Sequence, residues 1–359
     1  MRYALWFTVL LLSLASCNKT KIEDIYVPPI DSSSNGNTMQ VNGIVGSEQG
    51  SAAGNSVFID FSKDKQRTLT RAGWDLAFYC GSDFRVLINN TTAAMAKVTN
   101  KTDINAVNSS DVAGVSFELD IANPSPEAFA MIDDIDGDLT KTAIPVVSST
   151  EAENKVIVIH RGTAGSVAAR DLIKIRVQRN VSGGYTLQYA PIDATTFNTI
   201  EIAKDEDYNF KYWFFEQGVV SGEPKKSDWD IMWTMAIYKT PLGNDFVAYV
   251  FSDLVAINYL NGTMAVEKEY ATAAEATTAF NNYTRAMAEA ETFVSERWKI
   301  GSRWRKTAAP SVTDPGVIKT RFYIVKDSQG NYYRLKFLSF TSEDGGERGR
   351  PELRYELLQ

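Results

Sequence analysis

One short phrase occurs twice in this chain, and it constrains the fold more than any other feature. Trp74-Asp75-Leu76-Ala77-Phe78 returns as Trp229-Asp230-Ile231-Met232-Trp233, each time after a polar loop that follows an aromatic, strand-like run, residues 56–61 and 211–215. Further on, residues 84–89 match 253–258, both ending in Ile-Asn, and a small polar segment follows each. Each half then closes with a hairpin signal. Residues 173–178 turn at Gly183-Gly184 into 185–189, and residues 322–325 turn around 327–330 into 333–337. This pattern predicts two tandem copies of one β-rich domain, at 40–200 and 201–359.

Strand alternation places Trp74, Leu76, Phe78 and Cys80 on one buried face, and Trp229, Ile231, Trp233 and Met235 on its counterpart. Cys80 and Met235 then correspond and read as core fillers. Asp75 and Asp230 point the other way, where hydrogen-bond acceptance from neighbouring loops is the expected role. One helix is predicted from Thr272, whose capping-box partner is Glu275, with Ala276, Phe280, Tyr283, Met287, Ala290 and Val294 at helical intervals. A shorter helix is predicted over 126–133. The fold class is mainly β with few helices, in keeping with 7 Trp, 16 Tyr and 18 Phe, residue types that favour strands.

The N-terminus carries a different message. Met1 and Arg2 precede an apolar run over 3–14 and then Ala15-Ser16-Cys17, which reads as a signal peptide over 1–16 with lipid attached to Cys17. The run is too short to span a bilayer. Residues 17–39, with Pro28-Pro29 and Ser32-Ser33-Ser34, form the anchor and a flexible tether. An outer-membrane, cell-surface lipoprotein held by lipid alone is expected, possible release included. With Cys17 committed to lipid, Cys80 has no disulfide partner. A net charge of -7 argues against nucleic acid as a partner.

Catalytic patterns are sparse. The single histidine, His160, ends an alternating run in which it shares a face with Val156 and Val158 and reads as a strand-end residue near the surface, so a Ser-His-Asp or Cys-His arrangement would depend on this one imidazole. Nucleophile-elbow, phosphate-loop and paired-histidine zinc patterns do not occur. Asp134, Asp136 and Asp138 depart from calcium-loop spacing and read as a solvated acidic turn. A hydrolase would have to use dispersed carboxylates, and a surface glycan- or protein-binding lipoprotein is the other alternative.

The lipoprotein start, the Trp-Asp-Leu/Ile phrases at Trp74 and Trp229, the closing run 331–338 and the tail 349–355 together resemble the HmuY family of haem-binding lipoproteins from Bacteroidetes. That resemblance implies a non-enzymatic haemophore of β-rich fold that takes up haem and passes it to a TonB-dependent outer-membrane receptor. Two-histidine iron ligation, found in some members, has only His160 as a counterpart here. The axial-ligand candidates the resemblance implies are therefore Met264, Met95 and His160, since thioether and imidazole are the neutral haem ligands proteins offer. Met95 and Met264 are expected in loops after the repeated Ile-Asn strands.

Overall fold

The computed structural model of the protein describes residues 25–26 and 37–359, apart from 121, 123, 124 and 244. The expected signal peptide, Cys17 and most of the tether lie outside these residues. In chain order the strands are β1 (Ile25–Tyr26), β2 (Asn37–Gln40), β3 (Asn55–Asp60), β4 (Lys65–Thr70), β5 (Leu76–Tyr79), β6 (Val86–Ile88), β7 (Met95–Val98), β8 (Ile157–His160), β9 (Ile173–Arg179), β10 (Tyr185–Pro191) and β11 (Asn198–Ile202). They continue as β12 (Phe210–Phe214), β13 (Gly218–Val220), β14 (Ile231–Leu242), β15 (Asp245–Ile257), β16 (Met264–Glu269), β17 (Arg305–Lys306), β18 (Gly316–Val317), β19 (Arg321–Lys326), β20 (Tyr332–Ser339) and β21 (Glu352–Leu357). The α-helices among the described residues are α1 (Pro126–Phe129), α2 (Ala273–Asn282) and α3 (Arg285–Glu289). None is long and apolar enough to cross a membrane.

Four antiparallel sheets stack as two sandwiches. In one, β13-β12-β5-β6 faces β11-β10-β9-β8-β7 across a core that includes Leu76, Phe78, Ile159, Ile175, Leu187 and Trp213. In the other, β1-β4-β3-β14-β15 faces β16-β19-β20-β21-β2 across Val57, Ile59, Ile231, Trp233, Leu335 and Tyr355. The sandwiches meet through the outer faces of the β5 and β3 sheets, where Phe58, Leu69, Trp74, Ala77, Phe210 and Trp229 pack together. β3 is therefore covered on both faces and buried along its whole length. Both predicted hairpins form, as β9–β10 and β19–β20.

The sandwiches do not coincide with the stretches 40–200 and 201–359. The hairpin β3–β4, which precedes Trp74, lies beside β14, the strand that follows Trp229. Conversely β12–β13, which precedes Trp229, lies beside β5. The two hairpins are thus reciprocally exchanged, and matching contacts tie each exchange down. Asp75 N donates to Trp213 O and Asp230 N to Ile59 O, both at 2.8 Å. In return Phe215 N donates to the Asp75 carboxylate at 3.1 Å and Phe61 N to that of Asp230 at 2.8 Å. Asn89 Nδ2 spans Arg71 O and Trp74 O, and Asn258 Nδ2 spans Lys226 O and Trp229 O.

Alternation holds inside the ladders and fails at their ends. Leu76 and Phe78 enter one core, and Ile231 and Trp233 the other, as expected. Trp74 and Trp229 instead join the cluster between the sandwiches, because each precedes the first residue of its strand, where the two-residue period has not begun. Met235 falls at a bulge between Thr234 and Ala236, and its sulfur lies against Gly165. The predicted long helix is two helices. Thr272 and Glu275 do form a capping box on α2, but Thr284 caps a new start by accepting from Met287 N, which leaves Met287 exposed. The helix predicted over 126–133 is the single turn α1, capped by Ser125.

Candidate functional site

Two places on this scaffold combine burial with polar groups that lack partners. The first lies on the outer face of the β7–β8 pair. Ile157 and Ile159 point into the sandwich, which turns Val158 and His160 outward, and Met95 on β7 is the direct cross-strand neighbour of His160. On the other edge of β7, Ala96 N donates to Met131 O at 2.8 Å, so the chain after α1 runs alongside as an extra rung. Met95 and Met131 are both buried in one cluster with Ile237 and Ala248 from the long β14–β15 arm. Phe117, from the segment covering this face, stacks on the His160 ring at 5.4 Å and 16°.

His160 Nδ1 is buried with no hydrogen-bond partner. Burial, with Arg170 nearby, lowers the imidazole's proton affinity below its usual value against the opposing pull of Glu118, so the ring is neutral at pH 7. A neutral imidazole and a thioether are a haem-type donor set. Their spacing decides which thioether serves. Cross-strand neighbours have Cβ atoms only about 5 Å apart and pointing the same way, too close for Met95 and His160 to flank a flat ring. Met131 lies one strand further on, two spacings or roughly 10 Å from His160, with β7 as the floor between them. Met131 shares a buried cluster with Met95, and Lys97, two residues beyond Met95, lies on the same face of β7.

The second place is a pocket between the sandwiches, lined by Trp74, Trp229, Phe58, Tyr212 and Met232 among others. Phe58 meets Trp229 edge-on at 5.1 Å, and Tyr212 meets Trp74 in the same way at 4.9 Å. Two buried acids line it. Asp133 accepts from Ile88 N and Ala143 N, and burial pushes its carboxyl up to about 7. Glu223 accepts from Phe210 N, and burial pushes it up to about 8.

A family model described as HmuY protein matches residues 52–355, nearly the whole described body and both sandwiches. The chain belongs to the HmuY family. No curated protein and no solved structure matches it. The HmuY family is known for binding haem rather than for catalysis.

Within this HmuY member, the residues singled out from sequence do not all come together. His160 and Met95 are neighbours, but Met95 is a buried strand residue rather than a loop residue. Met264 begins β16, paired with Lys326 in the other sandwich, far in topology from His160. Met131 and Phe117 were not marked by any motif. Only the pairing of Met131 with Ala96, which no local pattern encodes, brings it to the site. Asp75 is occupied structurally: Arg161 donates to both of its oxygens at 2.8 Å, and Arg170 adds a contact at 3.3 Å. The acidic turn is held by its own backbone, with Asp138 N donating to Asp134 and Thr140 N to Asp138.

Proposed function

We propose that this protein is an exported, lipid-anchored haem- or porphyrin-binding protein of haemophore type, which holds its ligand on the outer face of β7–β8 between His160 and Met131. The observation that carries the reading is the buried, unpartnered Nδ1 of a neutral His160 across β7 from a thioether. Haem, if bound, would supply an iron that imidazole and thioether can ligate, and His160 and Met131 would hold it. The protein's own part is to keep the imidazole unprotonated, to fix both donors on paired backbone and to exclude water with Phe117 and the β14–β15 arm. Delivery to a TonB-dependent receptor, and anchoring through Cys17 at the outer membrane, belong to the same reading.

A haemin titration of the purified protein followed by absorbance tests it. A saturable Soret band is expected, weakened or shifted in His160→Ala and in Met131→Ala and unchanged in Met264→Ala. Met95→Ala should loosen the floor and reduce affinity without changing the band position. Unsaturable spectra, indifferent to all four substitutions, would sink the proposal. For the anchor, Cys17→Ala should release the protein from membranes into the soluble fraction.

A further inference from the structure

The pocket between the sandwiches is separate from the β7–β8 face, and its chemistry is different. Both repeated tryptophans line it, Trp74 at 6% and Trp229 at 8% exposure, and the Nε1–H of each is buried without an acceptor. Trp213 and Trp233 also lack acceptors, but those indoles sit inside the sealed sandwich cores. Trp74 and Trp229 border open volume, a cavity of about 90 Å³ that opens to solvent at its mouth. Gly137, Asp138, Tyr259 and Arg297 line both this pocket and the open groove beside it, so they mark the entrance.

The charges select the ligand. Four carboxyl groups line the pocket, Asp133, Asp134, Asp138 and Glu223, against the single cation Arg297. An anion, including a porphyrin with its acidic side chains, would be repelled. A cation gains less than four carboxyl groups would suggest, because burial shifts Asp133 and Glu223 toward their protonated forms and Arg297 opposes it. Aromatic walls favour a flat ring, and two unused indole donors favour oxygen acceptors on it.

We infer that this pocket is a second binding site, which takes a flat, uncharged aromatic compound bearing a carbonyl or hydroxyl oxygen. The probes are three naphthalenes of one size: 2-acetonaphthone, 2-naphthoate and 2-naphthylmethylammonium, each titrated by calorimetry into the full protein at pH 7. The neutral ketone should bind saturably and at least about tenfold more tightly than either ion. Trp74→Phe and Trp229→Phe keep a ring and remove the N–H, and at least one should weaken the ketone about three- to tenfold. Thermal melting of both variants and an unchanged haemin titration would show that fold and β7–β8 site are intact. The inference is overturned by the absence of saturable ketone binding, by tighter binding of either ion, or by two correctly folded Phe variants that bind the ketone as the parent does.

Discussion

Glu223→Gln should make the protein more stable at neutral pH and should flatten its dependence on pH. The carboxyl is 3% exposed, and its backbone hydrogen bond from Phe210 at 2.8 Å favours the ionised form, yet burial outweighs this and raises it from 4.5 to about 8. The folded protein therefore holds a proton that the unfolded chain has released across the window from about pH 5 to 7. With more protons bound in the folded state, stability falls as pH rises from the unfolded value toward 8, and no more is lost above that. One proton corresponds to about 1.4 kcal/mol per pH unit, so this group alone removes about 2.5 kcal/mol between pH 5 and 7. Glutamine keeps an oxygen for Phe210 N and has nothing to titrate. Urea denaturation followed by tryptophan fluorescence at pH 5, 6 and 7 reads the difference, on the order of 1 M in the midpoint shift. Asp133 and Asp230, each raised to about 7, act with the same sign in both proteins, so a slope remains. Parallel slopes for parent and Glu223→Gln would refute the reasoning.

Asp75→Asn should cost about 3–5 kcal/mol in denaturant unfolding, because it leaves the buried Arg161 guanidinium with only the half-exposed Glu216 as a carboxylate partner. Asn258→Ala removes the side-chain donor to the buried Trp229 O and one of two to Lys226 O, which keeps Asn261 Nδ2, and should lower stability by about 1–3 kcal/mol in the same assay. Asn89→Ala should cost at least as much, since it removes the donors to Arg71 O and Trp74 O together with the acceptor for Thr91. Thr272→Ala, which removes the cap of α2 at the protein surface, should cost only about 1 kcal/mol and leave ligand binding untouched.

The strands and turns of this protein are legible in sequence because they depend on local physics. The period-two runs at Ile173–Arg179 and Tyr185–Pro191, with Gly183 at φ 82° in their turn, need no distant information. The repeated Trp-Asp phrase also declared a structural role for Asp75 and Asp230 correctly, since an acid beside a buried aromatic strand must find donors. Partner choice was not legible. Alternation specifies which face of β3 is apolar but not whether that strand lies beside β5 or β14, and both faces being buried removed even the usual polar clue. The same limit hid the proposed ligand face: His160 could be placed on an outward face, whereas Met131 reaches it only through a backbone pairing across an irregular segment.

The reciprocal exchange of hairpins also sets an order in time. Leu76 pairs early with Ile88 but cannot find its β12 neighbour until Trp213 has been made, and β2 closes only on β21. The sandwich built from β5 to β13 can close once Val220 has been made, but the one that holds β2, β3 and β4 must wait for β14 to β21, so its pairings span long loops and should form slowly and late. For a chain exported as we propose, that delay is useful. A nascent polypeptide whose second sandwich remains open until β21 arrives commits to its complete fold only on the far side of a translocation channel.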